Sequence, residues 1–497
     1  MAGHRPRTLG ELRASGYQPR SVKQEIRDNL RLELAADRKL FPGLLGYDRT
    51  VIPSVINALL AGHDFILLGL RGQAKTRLLR SLVSLLDAEV PVLAGSELNE
   101  DPMAPISVPG QRLVVEAGDD APVAWMNREE RYNEKLATPD VSIADLLGDI
   151  DPIKAATRKL TFADPEVIHF GIVPRTNRGI FAINELPDLA PRIQVGLFNI
   201  LEERDLQIRG FPVRIPLDLL MVFSANPEDY TNRGSIITPL KDRIASQILT
   251  HYPPDASVAA EITRQEAWTD RENATVVVPE VVRLLIEEIS FAARESELVD
   301  QSSGVSARVS ISALELLTSN LERRALATRE TAVWPRLADL QMVLPAITGK
   351  VEMVYEGEQQ GAEVVARRLI GEAVKRLFDR TFPEVGRDPG SSSEDDRGPY
   401  PPILAWFADG NSLTLSDETS FATHQAELAK VPGLLELGRR LGSSTEERAL
   451  GAEVVLEGLH QHLKLARQDL DSQVSYKELV KFQLVKKRPV RGGSGIN

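Results

Sequence analysis

The chain has 497 residues, enough for more than one domain, and 42% of them are hydrophobic, enough for real cores. A net charge of −12 makes it a poor electrostatic match to nucleic acid or to an anionic membrane. With no cysteine, disulfides, thiolate metal sites and a cysteine nucleophile are excluded, and a reducing compartment fits.

The first residues, Met1-Ala-Gly-His-Arg-Pro-Arg-Thr8, lack the apolar core of a signal peptide, and no window reaches about 18 apolar residues without a charge. A cytoplasmic protein with no membrane insertion is therefore expected. Residues 1–40 are polar and read as a helical extension, with Ser21-Val-Lys-Gln24 as a capping box opening a helix that runs to about 34. Phe41-Pro-Gly-Leu-Leu-Gly-Tyr47 then leads into a helical run at 49–60.

A first strand is expected at 65–68, followed by Gly69-Leu-Arg-Gly-Gln-Ala-Lys-Thr76 and an amphipathic helix ending near 86. Strand, glycine loop and helix together make a phosphate cradle. Backbone N–H groups converge on the anion and the helix dipole favours it. Gly69 and Gly72 let the backbone approach closely. Lys75 would reach the β- and γ-phosphates of ATP, and Thr76 would place its hydroxyl on Mg²⁺. The expected nucleotide set here is Gly69, Gly72, Gln73, Ala74, Lys75, Thr76 and Arg77. Ala74 departs from the usual pattern, which has glycine there.

A second strand is expected at 90–93. Residues 96–178 are too long for a simple crossover and read as an inserted substructure. They hold an alternating run at 111–116, a highly charged stretch at 127–135 and a short helix within 142–155 capped by Ser142. A third strand at 179–183 runs into Asn184-Glu185. A helix at 192–203 and a hairpin at 206–215, turning at Gly210, lead to a fourth strand at 219–223, and a fifth follows at 247–251. Strands separated by helical connections imply an α/β fold: a mostly parallel sheet with helices on both faces and its ligand at the carboxyl ends of the strands.

After Pro253 the strand pattern gives way to helical periodicity at 279–296, 308–326, 333–355 and 361–379. The expected organisation is a 1–40 extension, a 41–255 ATPase domain with its insert, and a 256–385 helical lid. A 386–402 linker then precedes a mainly helical 403–497 segment, with runs at 418–440 and 445–469 and a basic tail at 486–491.

Phosphoryl transfer to water needs a metal holder, a group that orients the water, and cations for the developing charge. Asn184-Glu185 ends the third strand where a Walker B acid pair would stand. Glu185 would polarise the water. Asn184 would contact the metal shell but brings no negative charge. Asn226, in Phe223-Ser-Ala-Asn-Pro227, would hold the water near the γ-phosphate, or it is a turn-forming Asn before proline. Arg243, in Pro239-Leu-Lys-Asp-Arg243, would enter a neighbouring subunit's site, or it pairs with Asp242 at the surface. Arg308 would reach the γ-phosphate from the second domain, or it is a charge at a helix start.

In this order, Gly69–Thr76, Gly179–Glu185, Ser224–Pro227 and Pro239–Arg243 resemble AAA+ ATPases, most of all the MoxR and magnesium chelatase ATPase-subunit branch. Ala74 fits the Gly-x-Ala-Lys-Thr loop of MoxR proteins. Thr176-Asn-Arg-Gly-Ile-Phe-Ala-Ile-Asn-Glu185 is similar to the chelatase segment entering Walker B. Ala137-Thr-Pro-Asp140 through Gly148-Asp-Ile-Asp-Pro-Ile153 resembles that branch's inserted helix, and 206–215 its hairpin before sensor one. The resemblance covers roughly 40–350. It implies adenine contacts at Leu45, Gly46 and Tyr47, sensor one at Asn226, an arginine finger at Arg243 or Arg233, and sensor two at Arg308. It further implies a hexameric ring, and a partner with a von Willebrand factor A domain or a chelatase-type subunit. The leading reading is an ATP-driven motor that remodels or activates a partner protein. A nucleotide-gated scaffold with little hydrolysis is the alternative, motivated by Asn184.

Overall fold

The computed structural model describes residues 5–159, 164–208, 214–227, 235–271, 275–386, 398–470 and 473–479. Arg233, the hairpin turn at Gly210, most of the 386–402 linker and the basic 486–491 tail lie outside the described residues. The chain divides into two compact units, Met1–Tyr252 and Pro253–Asn497.

Alternation of apolar side chains builds the first unit. Its strands are β1 (Phe65–Leu68), β2 (Tyr132–Leu136), β3 (Gly179–Asn184), β4 (Leu219–Ala225) and β5 (Ser246–Leu249). They form one parallel five-stranded sheet in the order β5-β1-β4-β3-β2. Successive residues point to opposite faces. Phe65, Leu67, Ile180, Ala182, Leu220 and Val222 pack with the apolar stripes of helices Val22–Ala35, Val51–Leu60 and Lys75–Ser81. Ile66, Leu68, Phe181, Ile183, Met221 and Phe223 pack on the other face with Leu186, Ile193, Leu197, Ile200 and Leu240. Each fully buried Leu, Ile or Phe contributes about 1.5–3 kcal/mol, so these two layers hold the sheet. This is an α/β P-loop fold with helices on both faces, followed by a helical C-terminal region.

Several elements differ from expectation. The expected second strand forms as Glu89–Leu93, but it pairs antiparallel with Val123–Asn127 outside the main sheet. The true neighbour of β3 is β2, cut from the charged 127–135 stretch. An edge strand whose side chains stay half-exposed tolerates such polarity. The alternating run at 111–116 is helical, within Val108–Ala117, because Ser107 caps it by accepting from the Gly110 N–H at 3.0 Å. Ser21 does cap helix Val22–Ala35, but Gln24 donates to Asp28 at 2.8 Å, so the reciprocal half of the capping box is not made. That helix belongs to the core through Val22, Ile26 and Leu30, and its buried Glu25 pairs with Arg131 at 2.6 Å. The 192–203 run is two short helices, Pro191–Gly196 and Phe198–Glu202.

In the second unit one core runs from Val282 to Tyr476, so the expected lid helices and the C-terminal segment share a single interior. Helices Glu280–Glu295, Arg308–Thr328 and Ala362–Thr381 follow the expected runs. The 333–355 run does not: the chain forms a 3₁₀ turn at Leu337–Val343 and a short helix at Leu344–Thr348, restarted by Pro345. Pro432 and Gly433, the latter at φ +78°, break the 418–440 run into Phe421–Leu428 and Leu434–Gly438. Helix Thr445–Gln461 stops short of 469, and Leu465–Leu470 is a strand. With Leu413–Ser416 and Gln473–Glu478 it makes a three-stranded antiparallel sheet that the helical reading of this segment did not contain.

Candidate functional site

The parallel register brings the carboxyl ends of the strands to one edge. Leu68 stands beside Ala225, Phe223 beside Ile183, and Leu68 also beside Leu249. The glycine loop, Asn184-Glu185, Asn226 and Thr250 therefore leave adjacent strands on the same side of the sheet.

The loop is shaped by its backbone. Gly72 lies at φ +73° and Ala74 at φ 52°, ψ 21°, both left-handed. Gly69 is required for a different reason. A Cβ there would lie 1.8 Å from Thr250 Oγ1 and 2.1 Å from Gln73 Oε1. Those two atoms are themselves hydrogen-bonded at 2.6 Å, with the Thr250 hydroxyl donating, so the loop closes against the end of β5. Two tyrosines hold the loop's carbonyls. The Tyr47 hydroxyl donates to Gln73 O at 2.7 Å, and the Tyr252 hydroxyl to Arg71 O at 2.9 Å. Burial pushes the Tyr47 phenol up to about 12. Its ring meets His251 edge-on at 5.2 Å, and His251 in turn bonds Thr50 at 2.7 Å.

Lys75 is buried, and its ammonium donates to the carbonyl of Gly69 and, at 3.1 Å, to that of Leu70. Thr76 directs its hydroxyl toward Asn184 Oδ1 at 3.5 Å. Asn184 Oδ1 also accepts from Ser224 Oγ at 3.0 Å, and Ser224 Oγ accepts from the Glu185 N–H at 3.3 Å. Glu185 stands in the left-handed region at φ 56°. Asn226 is buried just past the end of β4. Leu45 is half-buried, Gly46 turns the chain at φ +80°, and Arg77 is exposed on the first turn of helix Lys75–Ser81.

The two arginines are placed differently. Arg243 ends helix Thr238–Arg243. It pairs with Glu202 at 2.7 Å, rather than with Asp242, and lies 4.5 Å over the Phe198 ring. Arg308 is exposed at the start of helix Arg308–Thr328 in the second unit.

Sequence reading missed the pair that flanks Asn184. Arg80, one turn beyond Thr76 on the same helix face, binds the Glu134 carboxylate from β2, Nε lying 3.0 Å from Oε2. Tyr132 donates to the same oxygen at 3.0 Å. The Arg80 hydrogen bond holds the Glu134 carboxyl below the usual carboxylate range. Nothing local in Tyr132-Asn-Glu-Lys-Leu136 signals a site. Only its register beside β3 does.

The donor set fits a triphosphate and a hard cation. The carbonyls now bonded to Lys75 are neutral, and a phosphate oxygen is the stronger partner for a buried ammonium. Around Asn184 the donors are a hydroxyl, a carboxamide and carboxylates, all oxygen, which suits Mg²⁺. Among the described residues no group of three or more His, Asp or Glu side chains could hold a metal. Mg²⁺ bound through few protein ligands together with phosphate oxygens does not need one.

No family model and no curated protein matches the chain. Solved structures resemble it in part. A candidate ATPase from Cytophaga hutchinsonii is 16% identical, with 72% of this chain and 97% of that one covered at a TM-score of 0.30. The complex between subunits BchI and BchD of magnesium chelatase is 16% identical, covering 64% and 98% at 0.33. NtrX from Brucella abortus in complex with ATP is 13% identical, covering 58% and 52% at 0.32. At such scores none of them adds to what the strands and side chains of this chain say.

Proposed function

We propose that this chain binds ATP with Mg²⁺ at the β1–β4–β3 edge and hydrolyses it, as an AAA+ ATPase of the MoxR and magnesium chelatase kind. One observation carries the reading: the loop lysine, the Thr76–Asn184 contact, Glu185 and Asn226 share a single sheet edge. In it Lys75 and the loop amides, held open by Tyr47 and Tyr252, take the phosphates. Thr76 and Asn184 would hold the cation, which would supply positive charge to offset that of the phosphates. Glu185 accepts the proton of the attacking water and Asn226 orients that water. In this reading Arg243 of a neighbouring copy in a ring completes the site, and Leu45 and Gly46 lie near the base. The work is remodelling or activation of a partner protein in the cytoplasm, with no membrane insertion. Among the described residues no helix is long and apolar enough to cross a membrane.

Mg²⁺-dependent phosphate release from wild type, Lys75→Ala and Glu185→Gln tests it. Lys75→Ala abolishes binding and turnover. Glu185→Gln keeps binding and loses about 100-fold or more in rate. Equal rates in wild type and Lys75→Ala would reject the proposal. A second reading has a specific observation in its favour: the strand-tip residue beside Thr76 is the neutral Asn184. On that reading the chain is a nucleotide-gated scaffold. Tight binding with no turnover above that of Glu185→Gln would favour it.

A further inference from the structure

Helix Arg308–Thr328 ends in Arg329, which stands in the left-handed region at φ 60°. The chain then turns through the short strand Ala332–Val333 into the 3₁₀ turn Leu337–Val343, whose N-cap is Arg336. This path brings Arg324, Arg329 and Arg336 onto one recess of about 390 Å³, with Trp334 and Phe421 also in its wall. Arg324 and Arg336 are each only 4% exposed. Both guanidinium groups are held by their Nη ends. Arg324 donates to Asp339 Oδ1 at 2.6 Å and to the Trp334 carbonyl. Arg336 donates to the carbonyls of Ser416 at 2.9 Å and Thr419 at 2.7 Å. The Nε atom of each is buried and has no hydrogen-bond partner.

Arg336 has a second deficit. Its guanidinium bonds only to main-chain carbonyls and the Thr419 hydroxyl, and among the described residues no carboxylate forms an ion pair with it. The nearby acids are engaged elsewhere. Asp339 takes Arg324, the Asn320 amide and the Arg336 backbone N–H. Glu453 takes the Leu337 N–H, and Glu330 takes the Phe421 N–H and the Thr328 hydroxyl. Burial pushes the Arg336 guanidinium below its ordinary value. A buried charge that lacks its counter-ion is costly. The helix dipole favours a cation at Arg329, at a helix C-terminus, but disfavours one at an N-cap such as Arg336.

We propose that this recess binds a small phosphate monoester carried on a planar ring, the class that includes nucleoside monophosphates. Its oxygens accept from the Nε–H groups of Arg324 and Arg336 and supply the missing counter-ion. Arginine's planar donor fork suits phosphate, and three cations around one recess suit a doubly charged group better than a carboxylate. Trp334 and Phe421 are half-buried, so each offers an apolar face to the ring. Glu446, in the first turn of helix Thr445–Gln461, also lines the recess and opposes the anion. All of these residues belong to the second unit, and the inference does not depend on the ATP reading.

The test is calorimetry of the full chain with phenyl phosphate, which joins a ring to a phosphate. Wild type is expected to bind it saturably, and Arg336→Gln to bind about tenfold or more weakly. Arg329→Gln should weaken binding about threefold, and Glu446→Gln should tighten it by a similar factor. Lys75→Ala, or saturation with AMP-PNP, a non-hydrolysable ATP analogue, should leave the affinity within about twofold. Benzoate and methyl phosphate should each bind more weakly than phenyl phosphate. No binding by wild type at millimolar concentration overturns the inference. So does loss of binding in Lys75→Ala, which would place the ligand in the glycine loop and leave the ATP reading standing. Benzoate binding as tightly as phenyl phosphate overturns the choice of phosphate, and methyl phosphate doing so overturns the ring. Should Arg336→Gln fail to fold, the opposite signs expected of Arg329→Gln and Glu446→Gln still decide, and equal or reversed shifts overturn the proposal.

Discussion

Ala74 occupies a backbone conformation that most side chains avoid. At φ 52° its Cβ crowds the following carbonyl, at a cost of roughly 1–2 kcal/mol that glycine escapes. The strain persists because both sides of the loop are tied: Gln73 to Tyr47 and Thr250, and Lys75 to the carbonyls of Gly69 and Leu70. Strain held in this way is a frequent mark of a ligand-binding backbone. Ala74→Gly should relieve it, less the entropy that a new glycine adds to the unfolded chain. The expected net gain is about 1 kcal/mol, seen as a rise of about 2–4 °C in the melting temperature of the first unit. A fall on thermal denaturation would mean that residue 74 is not left-handed in solution.

At the scale of elements, the glycine loop is gripped from two directions. Residue 47 lies before β1 and residues 250–252 after β5, and both supply hydroxyls to it. The resemblance implies that 41–47 lies near adenine, whereas the geometry gives Tyr47 a second task, holding the Gln73 carbonyl. Phenylalanine separates the two, since it keeps the ring and loses the hydroxyl. Tyr47→Phe leaves a buried carbonyl short of a donor, at about 1–3 kcal/mol. We expect AMP-PNP affinity to fall about fivefold or more on calorimetry. Unchanged affinity would assign Tyr47 to the base through its ring alone. The same contrast explains what could be read from the sequence. The loop, the strands around it and Asn184-Glu185 were legible because glycines, Lys-Thr and apolar runs are local signals. Glu134, Thr250 and Tyr252 were not, because their importance comes from pairing with residues far along the chain. Gln111–Glu116 misled because Ser107 and Pro109 start a helix where alternation alone suggests none. Leu465–Leu470 was hidden because it follows a helix without a break in composition, and only its partner Gln473–Glu478 fixes it as a strand.

For the whole molecule, each unit has its own interior, and the glycine loop, Asn184, Glu185 and Asn226, proposed above to take the nucleotide, lie in the first. Scanning calorimetry should therefore resolve two components. AMP-PNP with Mg²⁺ at about 100 times its dissociation constant should stabilise one of them by about 2.7 kcal/mol, and Lys75→Ala should remove that shift. The other component carries a pH signature of its own. Glu287 is buried in helix Glu280–Glu295 and accepts from the Thr263 hydroxyl at 2.5 Å. Burial holds its carboxyl above the ordinary range, against the lowering effect of that hydrogen bond. A group with a higher pKa folded than unfolded holds its proton more tightly in the native state. Its contribution is full below the unfolded value, near pH 4, and is lost as pH rises through the folded one. The second component should thus weaken from pH 4 toward pH 8. Glu287→Gln keeps an acceptor for Thr263 but cannot ionise, so its melting temperature should exceed that of wild type at pH 8 by roughly 2–4 °C and converge with it near pH 4. Asp339, likewise pushed up by burial, leaves some slope in the variant. A parallel displacement of the two curves at every pH would show that ionisation of Glu287 is not what the second unit resists, and a shift of the AMP-PNP-sensitive component instead would show that the two interiors do not melt separately.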